Sequence, residues 1–271
     1  MSLHAISPGP PLDALIERIW DWDMPLAAHH LERILASPKP ALIINLAEDH
    51  TRVYANDNDD SCRIGPASFF SGPYTHSFVI DTLEQQQVMG VVFRAGAALA
   101  ITREPLHRLS NGDTALESLA GPSAARLRQR LLNTPQPLRR LAALEQWLRA
   151  RVAMTHPDPL VTHALNILTR SPQTARIGDI AADCGVSSRR LGDLFREHVG
   201  ISPKRQARLL RFRAVVDAVH QRRHVNWAAV AADCGFHDQP HLTHEFRAFS
   251  GMTPGRYIAR MGPHPNHVPL A

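Results

Sequence analysis

Polar side chains suited to binding nucleic acid occur at two places in the C-terminal part of the sequence. Arg189 and Arg190 are adjacent, and an arginine side chain can donate two hydrogen bonds to the O6 and N7 atoms of a guanine. Further along the chain come Gln239, His241 and His244, whose amide and imidazole groups can donate and accept hydrogen bonds. Such side chains recognise base edges only when a rigid element presents them together.

These two groups of side chains lie in two copies of one sequence repeat. Residues 180–185 read Ile-Ala-Ala-Asp-Cys-Gly, and residues 230–235 read Val-Ala-Ala-Asp-Cys-Gly. After one inserted residue the match continues at an offset of 51, with Leu191, Phe195, Gly200 and Pro203 in the first copy against Leu242, Phe246, Gly251 and Pro254 in the second. A repeat of this kind indicates one supersecondary unit that occurs twice.

Each copy has the pattern of two short helices joined by a tight turn. In the first copy an Ala-rich apolar segment precedes Gly185, a residue that ends helices because it adopts a left-handed conformation at little cost. Ser187 is suited to cap the next helix, and the apolar residues after it recur at helical spacing. The second copy repeats this pattern with Asp238 as the cap. The sequence therefore predicts helix-turn-helix units at about 177–198 and 227–249, joined by a long helix over 203–222.

Residues of about 160–261 resemble the DNA-binding domain of AraC/XylS-type transcription regulators. The resemblance is carried by the motifs Ile180-Ala-Ala-x-x-Gly185-x-Ser187, Gly200-x-Ser202-Pro203, Asp238-Gln239-x-His241-Leu242 and Gly251-Met252-Thr253-Pro254. It implies that seven helices form the two units. It also implies that the second helix of each unit enters a major groove, the two grooves being neighbours on one face of the DNA.

The resemblance and the helical spacing together indicate candidate contacts with DNA. The candidates for reading bases lie at the start and on the outer face of each second helix: Ser188, Arg189, Arg190, Asp193, Gln239, His241 and His244. The candidates for binding phosphate are cations of the second helices and of the connecting helix: Arg196, Lys204, Arg205, Arg208 and Arg247. Arg196 and Arg247 could instead bind partners within the protein. Gly192, Asp193 and Pro240 stand where many family members have longer side chains, which leaves the preferred bases open.

The positive charge of the chain is concentrated where these candidates lie. From residue 160 onward the sequence has 15 Lys and Arg against 8 Asp and Glu, whereas the residues before it have 15 against 17. An anionic partner is therefore expected for the C-terminal half only. The chain has 271 residues, 44% of them hydrophobic, which suffices for two domains.

Several classes of protein are disfavoured by what the sequence lacks. It shows no signal peptide and no apolar stretch long enough to span a membrane, so we expect a cytoplasmic protein. The three cysteines are far apart, and Cys184 and Cys234 are interpreted as core residues. His29, His30 and His50 are interpreted as surface histidines rather than ligands. No catalytic motif is visible, and we expect neither an enzyme nor a bound metal or cofactor.

Residues 1–155 are predicted to form a β-rich domain that ends in helices. Short β-prone runs alternate with turn-forming segments, at 41–47, 52–55, 77–80 and 88–93. Helical patterns follow at 97–101, 123–132 and 138–153, before a predicted boundary at the proline-containing segment 155–159. The family resemblance implies a cupin-like sensor and dimerisation domain. The predicted fold class is α+β, with this β-rich domain followed by an all-α domain that has two helix-turn-helix units.

The sequence therefore predicts a regulator of transcription that binds double-stranded promoter or operator DNA and responds to a small-molecule effector through its N-terminal domain. RNA polymerase and a second copy of the chain are further expected partners. Two alternatives stay open at this point. One is a metal-dependent or hydrolytic enzyme domain fused to a DNA-targeting module. The other is a ligand-independent regulator whose N-terminal domain serves only for dimerisation.

Overall fold

The computed structural model describes residues 2–23, 31–54, 57, 61–152, 157–222 and 224–270. Within these ranges the N-terminal part is built mainly from antiparallel strands. The strands are β1 (Ser2–Ile6), β2 (Ile16–Asp23), β3 (Leu31–Ile34), β4 (Ala41–Asn45), β5 (His50–Tyr54), β6 (Arg63–Pro66), β7 (Ser68–Ser71), β8 (Phe78–Asp81), β9 (Gln87–Phe93), β10 (Asp113–Ala115) and β11 (His267–Leu270). They form a six-stranded sheet in the order β1-β2-β9-β4-β7-β10 and a five-stranded sheet in the order β11-β3-β8-β5-β6.

Helices pack on the six-stranded sheet and make up the C-terminal domain. They are α1 (Leu99–Thr102), α2 (Leu116–Ala120), α3 (Pro122–Leu132), α4 (Pro137–Arg151), α5 (Pro159–Arg170), α6 (Ile177–Asp183), α7 (Ser188–His198), α8 (Pro203–Val219), α9 (Trp227–Asp233), α10 (Gln239–Ser250) and α11 (Pro254–Arg260). Leu42, Phe70 and Phe93 of the sheet share a core with Leu127 of α3 and Leu144 of α4. None of the helices in the described ranges has the length and apolar character needed to cross a membrane.

A buried ion pair joins α4 to strand β2. Arg140 donates to both carboxylate oxygens of Asp21, at 2.7 and 3.1 Å. Both side chains are almost fully buried, so the loss of either partner alone would leave an uncompensated charge in the interior. This pairing explains how a strand with the sequence Ile-Glu-Arg-Ile-Trp-Asp-Trp-Asp can lie inside a sheet.

The predicted fold class is confirmed, because a β-rich N-terminal domain precedes an all-α domain with two helix-turn-helix units. The strands predicted at 41–47, 52–55, 77–80 and 88–93 correspond to β4, β5, β8 and β9. The sequence patterns miss β1, β2, β3, β6, β7, β10 and β11, which are short or alternate apolar with charged residues. The helix predicted over 203–222 is α8, which ends at Val219.

The C-terminal tail crosses from the helical domain to the five-stranded sheet. Strand β11 pairs with β3 in antiparallel register, His267 lying opposite Ile34. The side chain of Val268 is fully buried there, and His267 lies 2.7 Å from a carboxylate oxygen of Glu32. The predicted domain limits of 1–155 and 160–261 did not anticipate this strand, and as limits they stay a prediction.

Further contacts between the two domains involve α8 and the ends of α7 and α10. Arg205 of α8 donates to the backbone oxygen of Thr75 at 3.1 Å. Ser110 donates to the backbone oxygen of Gly200, just after α7, at 2.9 Å. At Gly251, just after α10, an added Cβ would lie 2.8 Å from the guanidinium of Arg33. Within the described ranges, these contacts dock the helical domain against the β-rich domain in addition to the tail strand.

The tail strand yields a prediction about stability. Val268→Ala should lower the free energy of unfolding of the full chain by about 1–3 kcal/mol, because it removes buried methyl groups from the contact between β11 and the rest of the protein. The control is Leu138→Ala, which removes apolar atoms from an exposed position of α4, and for which we expect a change within about 0.5 kcal/mol. Urea unfolding followed by tryptophan fluorescence measures both. Equal effects of the two substitutions would mean that β11 does not contribute to stability.

Candidate nucleic-acid interface

The first helix-turn-helix unit consists of α6, a turn and α7. Gly185 has a φ of +67° and allows the chain to reverse after α6. As predicted, Ser187 caps α7, its hydroxyl accepting a hydrogen bond from the backbone N–H of Arg190 at 3.1 Å. Leu191 and Phe195 are fully buried. The remaining face of the first turn of α7 is exposed, and it carries Ser188, Arg189 and Arg190.

The second unit consists of α9, a turn and α10. Gly235 has a φ of +74°. Asp238 caps α10 by accepting a hydrogen bond from the backbone N–H of His241 at 2.7 Å. That hydrogen bond, with smaller contributions from neighbouring histidines, holds the pKa of the Asp238 carboxyl below its usual value. Gln239, His241 and His244 are all exposed on the outer face of α10.

Asp193 and Arg196 bind each other on the surface of α7. Their side chains form an ion pair across one helical turn, and both remain substantially exposed. Such exposed pairs contribute about 0–1 kcal/mol. Either residue can therefore leave this ion pair and bind a group on DNA instead, with little loss of free energy. Asp193 and Arg196 lie near Arg189 on α7, but in this structure they are paired with each other.

The other predicted phosphate-binding residues fall into two groups. Lys204 and Arg247 are exposed. Arg205 is half-buried, donates to Thr75 and lies over the ring of Phe249 at 5.2 Å, and its burial lowers the pKa of the guanidinium. Arg208 is also half-buried, and its hydrogen bonds to Glu245 raise its pKa.

An open cleft of about 500 Å³ lies between the two units, and we call it the interunit cleft. Its lining includes cations from the connecting helix and residues from both units: Ala175, Ile177, Lys204, Ala207, Arg208, Arg211, His241 and Glu245. The cleft therefore presents positive charge beside one of the base-reading candidates, His241. A phosphate group near His241 would be attracted to this surface.

The second unit also touches the segment that leads into the first unit, which the sequence patterns did not reveal. An added Cβ at Gly235 would lie 2.0 Å from the Cβ of Gln173, in the segment between α5 and α6. Arg211 of α8 donates to the backbone oxygen of Pro172 at 3.2 Å and lies over the ring of Phe236 at 5.8 Å. The connecting helix and the turn of the second unit thus both contact the segment between α5 and α6.

Comparison with known protein families agrees with the presence of helix-turn-helix units in the C-terminal domain. Residues 162–260 match the model of a helix-turn-helix domain family. The C-terminal domain is an AraC-type helix-turn-helix domain. The protein is accordingly a DNA-binding regulator of transcription. Residues 4–115 match a second model, that of the domain of unknown function DUF6597. Neither matched family model describes an enzyme.

The chain is also similar to several solved structures at low sequence identity. A transcriptional regulator from Chromobacterium violaceum with an AraC-type DNA-binding domain is 26% identical over 38% of this chain and 96% of that chain, with a TM-score of 0.35. ToxT from Vibrio cholerae O395 is 8% identical over 95% of this chain and 97% of that one, with a TM-score of 0.47. ToxT from strain SCE256, with an unsaturated fatty acid bound, is 10% identical over 89% and 93%, with a TM-score of 0.45. No curated protein sequence matches the chain.

Cys184, Cys234 and His50 lie outside the candidate interface and interact with other residues of the protein. Burial, with a smaller contribution from the preceding aspartate, raises the pKa of the Cys184 and Cys234 thiols. His50 lies 2.8 Å from a carboxylate oxygen of Glu84. His29 and His30 lie outside the described residues. Within the described ranges, no group of three or more His, Cys, Asp or Glu residues is arranged to hold a metal ion.

Two matched glycine substitutions separate the contact with the segment before α6 from the requirement of the turn itself. Gly185→Ala and Gly235→Ala both place a Cβ at positive φ, which costs about 1–2 kcal/mol. Of these two positions, only Gly235 has a neighbour within reach of the added Cβ, namely Gln173. We therefore expect Gly235→Ala to lower the free energy of unfolding by clearly more than Gly185→Ala, and Gln173→Gly to recover part of the difference. Equal losses in urea unfolding would show that the second unit does not press against Gln173.

Proposed function

We propose that one subunit of this regulator binds two short DNA half-motifs about one helical turn apart, with α7 in one major groove and α10 in the next. The observation that carries this proposal is the exposure of base-reading candidates on both helices, in units that share one hydrophobic core with α8. The 17 residues of α8 span about 25 Å, which is shorter than the ~34 Å repeat of the major groove. DNA that bends toward the protein would bring both grooves to both helices.

The two half-motifs should differ in sequence, because the two reading faces differ. Helix α7 presents Arg189 and Arg190, and arginine pairs most often with guanine. Helix α10 presents Gln239, which suits adenine, together with His241 and His244. No arginine occurs among the base-reading candidates on α10. We infer that the half-motif bound by α10 contributes less to affinity.

We also propose that the N-terminal domain makes DNA binding responsive to a small-molecule effector. Its support is the hydrogen bond from Arg205 of α8 to Thr75, which links the helix between the two units to the β-rich domain. A ligand that moved the part of the β-rich domain around Thr75 would change the position of α8 relative to that domain. A cavity between the six-stranded sheet and α4, next to Phe93, Trp147 and Arg151, has a volume of about 10 Å³ and has room for little more than one water molecule. An effector would therefore have to enlarge this cavity or bind elsewhere.

Other expected partners stay predictions. They are RNA polymerase and a second copy of the chain. The alternative in which the N-terminal domain serves only for dimerisation differs from the effector proposal in one measurable way. A bound effector at 100 times its dissociation constant would stabilise the native state by about 2.7 kcal/mol, which a thermal shift would reveal.

Substitutions at Arg189 and Lys204 separate base reading from phosphate binding. Arg189→Ala should reduce discrimination at one base position of the first half-motif by about 1–3 kcal/mol, because Arg189 lies at the exposed start of α7. Lys204→Ala should weaken binding to all sequences about equally, because Lys204 lies on the connecting helix beside the interunit cleft. Competition titrations of selected and scrambled duplexes measure both effects.

The salt dependence of binding gives a second readout for the same pair of variants. The slope of log affinity against log salt should decrease by about 1 in Lys204→Ala. If Arg189→Ala lost affinity equally on selected and scrambled DNA, base reading by α7 would be wrong. If the wild-type protein preferred no sequence at all, the whole proposal would fail.

A further inference from the structure

A buried carboxylate occupies a core position of the second reading helix. In the register of the repeat, Glu245 of α10 corresponds to Leu194 of α7. Both residues are buried, Leu194 with 3% and Glu245 with 5% of its surface exposed. A charged group at such a position is costly unless a partner of opposite charge and good geometry accompanies it. The two copies of the unit therefore fix their reading helices by different means.

The partner of Glu245 comes from the connecting helix. Arg208 of α8 donates from Nε to one carboxylate oxygen and from Nη2 to the other, each at 2.7 Å. This bidentate geometry is the most directional ion pair available to side chains. Burial alone would raise the pKa of Glu245, but the hydrogen bonds from Arg208, together with the positive charges of Arg208, His241 and Arg211, outweigh it and the net shift is downward. The pair is therefore ionised at neutral pH.

The same guanidinium also contacts the next turn of α10. Arg208 lies over the ring of Phe249, with 5.7 Å between its Cζ atom and the ring centroid. Phe249 is fully buried and packs on Phe212 of α8, at 5.3 Å between ring centroids. His241 lies one helical turn before Glu245 and lines the interunit cleft with it. Arg208 thus contacts two successive turns of α10, directly beyond the turn that carries a base-reading candidate.

We propose that the Arg208–Glu245 ion pair is a positioning element that sets the rotation of α10 on α8 and thereby determines which bases Gln239, His241 and His244 reach. The inference rests on the proposed binding of two half-motifs. Apolar packing, as at Leu194, tolerates small rotations of a helix, whereas two parallel hydrogen bonds to one carboxylate do not. Arg208 and Glu245 act through the reading residues and need not touch DNA themselves.

A direct role of Arg208 in binding phosphate is the competing explanation. It would require the guanidinium to leave Glu245, and the carboxylate would then stay buried without compensation. The geometry disfavours that exchange. Arg196 could make such an exchange, because its partner Asp193 is exposed to solvent and can be rehydrated.

The experiment uses the full chain and three DNA duplexes. One duplex carries both half-motifs recovered by selection, and in each of the others one half-motif is scrambled. The test variants are Arg208→Lys, which keeps the charge without the fork, and the double variant Arg208→Met/Glu245→Leu, which replaces the pair by apolar groups. The charge-exchanged variant Arg208→Glu/Glu245→Arg tests for rescue. The matched control is Glu17→Ala/Lys39→Ala, which removes an exposed ion pair of the β-rich domain.

The expected result is a loss confined to the half-motif read by α10. In Arg208→Lys and in the double variant, discrimination between the intact and scrambled second half-motif should fall about 10-fold or more, while discrimination at the first half-motif stays within about 2-fold. The double variant should unfold cooperatively near the wild-type temperature, because an apolar pair can replace a buried ion pair without loss of stability. Charge exchange should restore part of the lost discrimination. The control should leave the second half-motif unaffected.

Other outcomes would overturn the proposal in recognisable ways. Equal losses on all three duplexes with a reduced salt slope would assign Arg208 to phosphate. Equal losses with an unchanged salt slope and a lower melting temperature would mean that the pair only stabilises the fold. A double variant that melts like the wild type and discriminates like it would show that apolar packing positions α10 equally well. Absence of any sequence preference in the wild type would instead reject the binding of two half-motifs, before any variant is made.

Discussion

Packing around α8 is the constraint on which the rest of this structure depends. One face of the helix is buried in the core that both helix-turn-helix units share, through Leu209, Phe212 and Val216. Its more polar faces make three kinds of contact: Arg208 binds α10, Arg211 binds the segment before α6, and Arg205 binds the β-rich domain. A single helix therefore relates the two reading helices to each other and to the N-terminal domain. In the proposed mode of binding, any shift of α8 would change the contacts with both DNA half-motifs.

The docking of the two domains follows from the same arrangement. Strand β11 extends the chain beyond α11 and joins the five-stranded sheet, while Asn266, just before it, accepts a hydrogen bond from Arg213 of α8. The β-rich domain thus contacts α8 directly through Arg205 and indirectly through the tail. These contacts supply a physical route by which a ligand of the N-terminal domain would alter DNA binding. The exposed reading residues show that docking in this state leaves both outer faces open.

Local sequence signals predicted the helical domain well because its elements are defined by neighbouring residues. The caps Ser187, Ser202 and Asp238 and the turn glycines are all read within a few positions of the helices that they limit. The strands of the N-terminal domain were harder to predict from the sequence, because strands such as β2 depend on partners that are far away along the chain. Arg140, which neutralises Asp21, is one example, and the pairing of β11 with β3 is another. The candidate site could be predicted in part. The repeat identified the two candidate reading helices, whereas the Arg208–Glu245 pair could be recognised only once the fold was known. The substitution of Glu245 for the equivalent Leu194 was the one visible signal of it.

Selection of bound duplexes from random DNA by the full-length protein tests the central claim most directly. If α8 holds the two reading helices as one rigid body, the recovered sequences will contain two unlike motifs at a single spacing of about one helical turn. A narrow distribution of spacings is the decisive feature, because flexibly joined units would accept several. Recovery of one short motif alone, or of two motifs at freely varying spacing, would contradict the account.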